Sequence, residues 1–157
     1  MRRLMTGIVC ALAALVLTLM VGPVAEAKTS VGALGGYDVA NQTVWYGGYL
    51  RSLTTFGTEL AVLVPQGQNP SDYLQVQSFL LLGVAVESLQ VYLGASPIIV
   101  VSPSAPSLEV DRSHAYGKAG VGFHTPPLAA FVQVTALVSF QGSLDGWGVE
   151  GGIGIGF

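Results

Sequence analysis

The sequence predicts an all-β fold: an eight-stranded antiparallel up-and-down transmembrane β-barrel with its N- and C-termini on the periplasmic side. Three observations predict it. Apolar residues recur at every second position in one segment after another, the period of a strand with two distinct faces. The 157 residues are 51% hydrophobic and only 10% charged, with a mean hydropathy of +0.61, whereas an ordinary soluble domain carries about 25% charged residues. The face opposite each apolar row holds mostly Gly, Ala, Gln and Ser, which suit a narrow lumen better than a solvated surface. The same composition excludes a disordered chain, which needs low hydrophobicity and high charge. Six Lys+Arg against nine Asp+Glu also exclude a protein that neutralises a row of nucleic-acid phosphates.

The first element is not a strand. Arg2 and Arg3 precede an apolar run from Ile8 to Val21, Gly22 and Pro23 break it, and Ala25-Glu26-Ala27 supplies small residues at the positions a signal peptidase reads. The run is shorter than the roughly 18–20 residues that cross a bilayer as a helix. Residues 1–27 are therefore expected to be a cleaved signal peptide, and residues 28–157 a single barrel domain. Cys10 lies inside the signal and lacks a lipobox, so the exported chain has no thiol for disulfides, catalysis or metal ligation.

The strands follow in order. Val31–Asp38 and Thr43–Leu53 are plausible strands whose facing the pattern leaves open. Thr58, Leu60, Val62 and Val64 then alternate with Glu59 and Ala61. From Leu74 to Leu82 the row is Leu74, Val76, Ser78, Leu80 and Leu82, set against Gln75 and Gln77. Leu89–Val101 is the fifth run. In Ala115–Phe123, Ala119, Val121 and Phe123 oppose Lys118, Gly120 and Gly122. From Leu128 to Phe140 every even position is apolar. In the last run Trp147, Val149, Ile153, Ile155 and Phe157 share one face, while Gly148, Glu150, Gly152, Gly154 and Gly156 share the other. Turn-like segments at 39–42, 54–57, 66–71, 85–88, 102–114, 125–127 and 141–146 separate the runs. Eight strands of about 11 residues leave about six for each connection, whereas ten strands would leave about two.

With both termini periplasmic, Tyr37, Tyr46, Phe140 and Trp147 fall at the outer ends of their strands, and Phe123 and Phe157 at the inner ends. All six suit the aromatic girdles that flank the apolar band of such a barrel. A secreted β-sandwich would also alternate, but its second row would need more Lys, Glu, Thr and Ser than these strands offer.

The C-terminal run of Trp147, Val149, Ile153 and Ile155 closing on Phe157 resembles the assembly signal of Gram-negative outer-membrane barrels. By size the chain is similar to the small eight-stranded OmpA/OmpX-type class. That resemblance implies export to the cell outer membrane, with outer-membrane lipid and the barrel-assembly machinery as partners. Its connections are short, only 102–114 having any length, which argues against an adhesin-like role.

An eight-stranded lumen is just wide enough for side chains to fill. The inward charges would be Arg51, Glu59, Lys118 and Glu150, with Gln75, Gln77 and Gln133 beside them. Positions 51 and 59 are equidistant from residue 55, so Arg51 and Glu59 form a cross-strand pair, as buried charges require. Lys118 and Glu150 are a second candidate pair across the lumen. Polar packing accounts for these residues better than an ion path. The inner glycines of the last strand either admit large neighbours such as Phe79, Leu81 and Phe131 or leave a wet gap.

Asp111, Ser113, His114 and His124 are the only catalytic candidates. The small outer-membrane barrels that modify lipid A use Ser and His, but adjacent Ser113 and His114 point to opposite faces of a strand. His124 belongs to the other end, beside the Thr125-Pro126-Pro127 turn. Two isolated histidines give no metal spacing, so no catalytic residue, cofactor or metal is implied. Pro97 interrupts a membrane-spanning run. Either the strand crosses the bilayer before it, or the wall opens there to a small apolar ligand from the outer leaflet. The reading that follows is an outer-membrane barrel with a structural or surface role and no catalysis. Its alternatives are a narrow pore or binder for small or apolar solutes, and a secreted soluble β-sandwich.

Overall fold

The computed structural model describes residues 28–102 and 107–157. The expected signal peptide lies outside the described residues, as do residues 103–106 of the expected 102–114 connection. Eight strands form one closed antiparallel barrel in chain order: β1 (Lys28–Asp38), β2 (Thr43–Leu53), β3 (Phe56–Pro65), β4 (Leu74–Val86), β5 (Leu89–Ser102), β6 (Ser107–Thr125), β7 (Leu128–Ser139) and β8 (Leu144–Gly156). β1 closes the ring against β8, with Val31 opposite Ile155 and Tyr37 opposite Val149. Closure leaves no sheet edge, and it removes the β-sandwich alternative.

The period-2 rows decide which side chains face in. Leu80, Leu93, Val132 and Ile153 are 50–73% exposed on the outer face. Their neighbours Leu81, Tyr92, Phe131 and Gln133 are buried in the lumen. Tyr37 and Tyr46, whose facing the sequence left open, point outward. Inside, two apolar clusters stack along the axis: Leu34, Tyr49, Ala61, Leu63 and Phe131 in one, Leu53, Phe79, Leu81 and Tyr92 in the other.

The termini share one end, where Thr29 and Phe157 exchange backbone hydrogen bonds. The turns at this terminal end comprise two residues each: 54–55, 87–88 and 126–127. The connections at the far end are longer, and two of them place Gly67 and Gly142 at positive φ (86° and 90°), where only glycine turns without strain.

Most departures from the sequence reading are extensions of strands into expected turns. The largest concerns 102–114, expected to be a surface connection. Instead β5 reaches Ser102, β6 begins at Ser107, and Ile98–Ser102 pair with Asp111–Ser107. The ladder slips at Pro97/Ile98, where Pro97 faces Ala115 but Ile98 faces Asp111. Residues 112–114 are the surplus on β6, a bulge that absorbs the break in alternation.

Candidate functional site

The lumen is closed by a charged and aromatic network built from seven of the eight strands, all but β1. β2 presents Arg51 directly opposite Glu59 of β3, and the guanidinium donates to Glu59 Oε2. Lys118, from β6, donates to Glu59 Oε1. Lys118 therefore pairs with Glu59 and not with Glu150, the partner weighed for it from the sequence. The barrel stagger brings β6 across to β3, and that stagger has no signature in any single strand. Glu150, on β8, stands opposite Gln133 of β7. Gln133 Nε2 donates to its Oε2 at 2.6 Å, while Gln133 Oε1 accepts from Arg51 Nη2 at 2.9 Å and from the Tyr92 hydroxyl at 2.8 Å.

Aromatic faces hold both cations. The Arg51 guanidinium carbon lies 3.7 Å from the Phe131 ring centroid and 4.4 Å from that of Tyr92, and Lys118 Nζ lies 3.4 Å from that of Phe79. Desolvated cations over aromatic faces gain electrostatic stabilisation from the ring quadrupole. Arg51, Glu59, Lys118 and Glu150 are all buried. The four charges sum to zero, although Glu150 is linked to a cation only through the neutral Gln133 amide.

The inner glycines of β8 make room for large neighbours. A Cβ on Gly152 would lie 2.5 Å from Phe131 Cζ, and one on Gly156 would lie 2.7 Å from His124 Nε2. Of the two outcomes left open by the sequence, the first holds at these positions. The admitted neighbours are Phe131 and His124, the latter donating from Nε2 to the Thr29 carbonyl at 3.1 Å.

At the far rim, the β6 bulge is tied to β8 by His114. Its Nδ1 meets Asp111 Oδ2 at 2.9 Å and its Nε2 meets Asp145 Oδ2 at 3.0 Å. A carboxylate only accepts, so both ring nitrogens must donate, which makes the ring an imidazolium. The Asp111 hydrogen bond is the main cause that raises the His114 pKa above its ordinary 6.5. The backbone N–H of Ser113, followed by His114, lowers that of Asp111. The clasp contributes fully between the ordinary carboxylate value of 3.8 and pH 6.5; it is lost as pH rises through the raised His114 value and as pH falls through the lowered Asp111 value. Ring-proton NMR is expected to show a His114 midpoint above 6.5 that moves down in Asp111→Asn. A midpoint at or below 6.5 in the parent would refute the doubly bonded ring.

No protein-family model matches the chain, and no curated protein matches it in sequence. Among solved structures it is similar to the crystal structure of the N-terminal β-barrel domain of Pseudomonas aeruginosa OprF. The TM-score is 0.59 and the identity 15%, over 84% of this chain and 100% of that one. What the two share is the fold, a small closed β-barrel.

With that fold in place, the remaining sequence candidates can be located. Tyr37, Tyr46, Phe140 and Trp147 are exposed toward the far end of the barrel, and Phe123 and Phe157 toward the terminal end. Val149, Ile153 and Ile155 continue the outer row of β8 between Trp147 and Phe157. Ser113, His114 and His124 do not converge. Both His114 nitrogens are occupied by carboxylates, and His124 is at the opposite end. At Pro97 both ladders are irregular, since Ser78, Phe79, Ser96 and Pro97 drop out of the β4–β5 register. Ser96 Oγ fills that gap, accepting from Ser78 N at 3.0 Å and donating to the Pro97 carbonyl at 2.7 Å. Two contributors to the lumen network escaped the sequence reading in their roles. Gln133 acts as a relay and Tyr92 as a donor. Gln133 was legible as inward-facing, and its position opposite Glu150 follows once the β7–β8 register is set.

Proposed function

We propose that the protein is an integral outer-membrane β-barrel with a structural or surface role and no catalysis, its termini on the periplasmic side. The observation that carries this reading is the unbroken apolar belt. Every strand exposes large apolar side chains on the outer face, from Val31 on β1 to Ile155 on β8. Soluble monomers rarely expose contiguous apolar patches beyond a few hundred Å², while a lipid bilayer requires such a belt around a barrel with no free edge. The spanning part ends at the rings set by Phe140 and Trp147 on one side and by Phe123 and Phe157 on the other. Short turns at the terminal end and longer connections at the far end support periplasmic termini. The outer row Trp147, Val149, Ile153, Ile155 and Phe157 is the segment we assign to recognition by the barrel-assembly machinery.

A structural role is supported by the filled lumen, in which Arg51 contacts Phe131, Tyr92 and Gln133 across the axis and Tyr92 donates to Gln133. The protein is expected in the membrane fraction, extracted only by detergent, with heat-modifiable gel mobility and no steady unitary conductance in planar bilayers. Recovery of folded protein without detergent would overturn the membrane assignment. Steady conductance would favour the narrow-pore reading. A binder of apolar solutes entering through the wall is the second reading, and the interrupted ladders at Pro97 are what favour it.

A further inference from the structure

Above the charged network, the lumen opens toward the far end as a recess. Glu150 and Gln77 line it together with Trp45, Leu63, Tyr116 and Leu137. Glu150 is only 9% exposed, and one of its oxygens is held by Gln133. Its Oε1 has no hydrogen-bond partner among the described residues, and both lumen cations are bound by Glu59. Gln77 supplies an independent observation. The side chain is 3% exposed and lines the same recess, and its Oε1 has no hydrogen-bond partner. A buried acceptor without a donor, or a buried carboxylate without a cation, is costly to leave unmatched. The recess thus brings the buried unmet acceptor of Gln77 together with the Glu150 carboxylate, beside Asp38, Gln75 and Thr135 and the apolar and aromatic side chains.

We propose that this recess binds a small primary ammonium ion. Its N–H groups donate to Glu150 Oε1 and Gln77 Oε1, and its aliphatic stem lies against Trp45, Leu63 and Leu137. A divalent metal fits poorly, because Ca²⁺ and Mg²⁺ require about six or more oxygen ligands, and of the two carboxylates that line the recess Asp38 already accepts from Asn41 through both oxygens. A neutral donor would leave the Glu150 charge unmatched. Aromatic walls favour an organic cation over a hydrated one.

The test is an amide NMR titration of the folded barrel in detergent micelles at pH 8, with n-butylammonium as the probe. Saturable shifts are expected at Gly36, Trp45 and Gly148, which border the recess. Glu150→Gln is expected to weaken binding at least tenfold, and Gln77→Leu severalfold. The second variant keeps the test decisive if the first does not give a heat-modifiable, folded barrel. n-Butanol, with the same stem and no charge, is expected to give no saturable shift. The proposal is overturned if the parent shows no saturation, if butanol or potassium produces the same response, or if the folded variants bind as tightly as the parent.

Discussion

Glu59→Ala is expected to destabilise the barrel by about 3–5 kcal/mol, the usual cost of removing one partner from a buried ion pair. The side chain is 1% exposed and its two oxygens serve two different cations. Alanine would leave Arg51 and Lys118 together, like-charged and without a carboxylate, in a lumen that water barely reaches. Phe131, Tyr92 and Phe79 would still face them, but aromatic contacts are worth only about 1–2 kcal/mol each and do not replace a counter-charge. The readout is the urea midpoint of the folded gel band in lipid or detergent. A combined Arg51→Met, Glu59→Leu, Lys118→Met replacement is expected to recover most of the loss, because removing all three charges leaves none uncompensated. If the combined variant is as unstable as Glu59→Ala, charge compensation is not the reason the residue matters.

The parts of this network that were legible in the sequence are those that depend on neighbouring strands. Arg51 and Glu59 flank a short turn, and hairpin geometry places them opposite each other whatever the rest of the barrel does. The alternation in Leu128–Phe140 and Trp147–Phe157 separates outer from inner side chains, because a strand shows its two faces in its own sequence. The partner of Lys118 could not be found in this way. β6 and β3 are separated by β4 and β5 in the ring, so which residues meet across the lumen depends on tilt and stagger summed over several pairings. The Ser107–His114 part of β6 was illegible for a local reason. Pro97 and the bulged residues 112–114 break the alternation on both partners at once. Polar residues there, such as Asp111, Ser113 and His114, look like a loop until they are seen gripping one another and Asp145.

The inner face of β8 leads to the second large effect. Phe131→Ala is expected to cost about 3–5 kcal/mol, the range for truncating a buried aromatic. The ring packs edge-on against Tyr49, with centroids 4.9 Å apart at 87°, and offers its face to Arg51. It fills the space that Gly152 leaves on the neighbouring strand, so truncation opens a void bordered by a glycine that cannot close it. The same contact predicts the reverse lesion. Gly152→Ala places a methyl group against the Phe131 ring and is expected to cost about 1–3 kcal/mol as overpacking. The two positions should be strongly coupled, since each change alters the same volume. Phe131→Leu combined with Gly152→Ala should therefore be more stable than the sum of the single losses allows, as measured by urea midpoints in a double-mutant cycle. Simple additivity would show that the ring and the glycine do not share a site, and that the glycines of β8 are there for some reason other than lumen packing. Coupling would instead explain why the strand richest in glycine faces the Phe131 ring: the barrel is too narrow to hold two large residues at that level, so one strand must give way to the other.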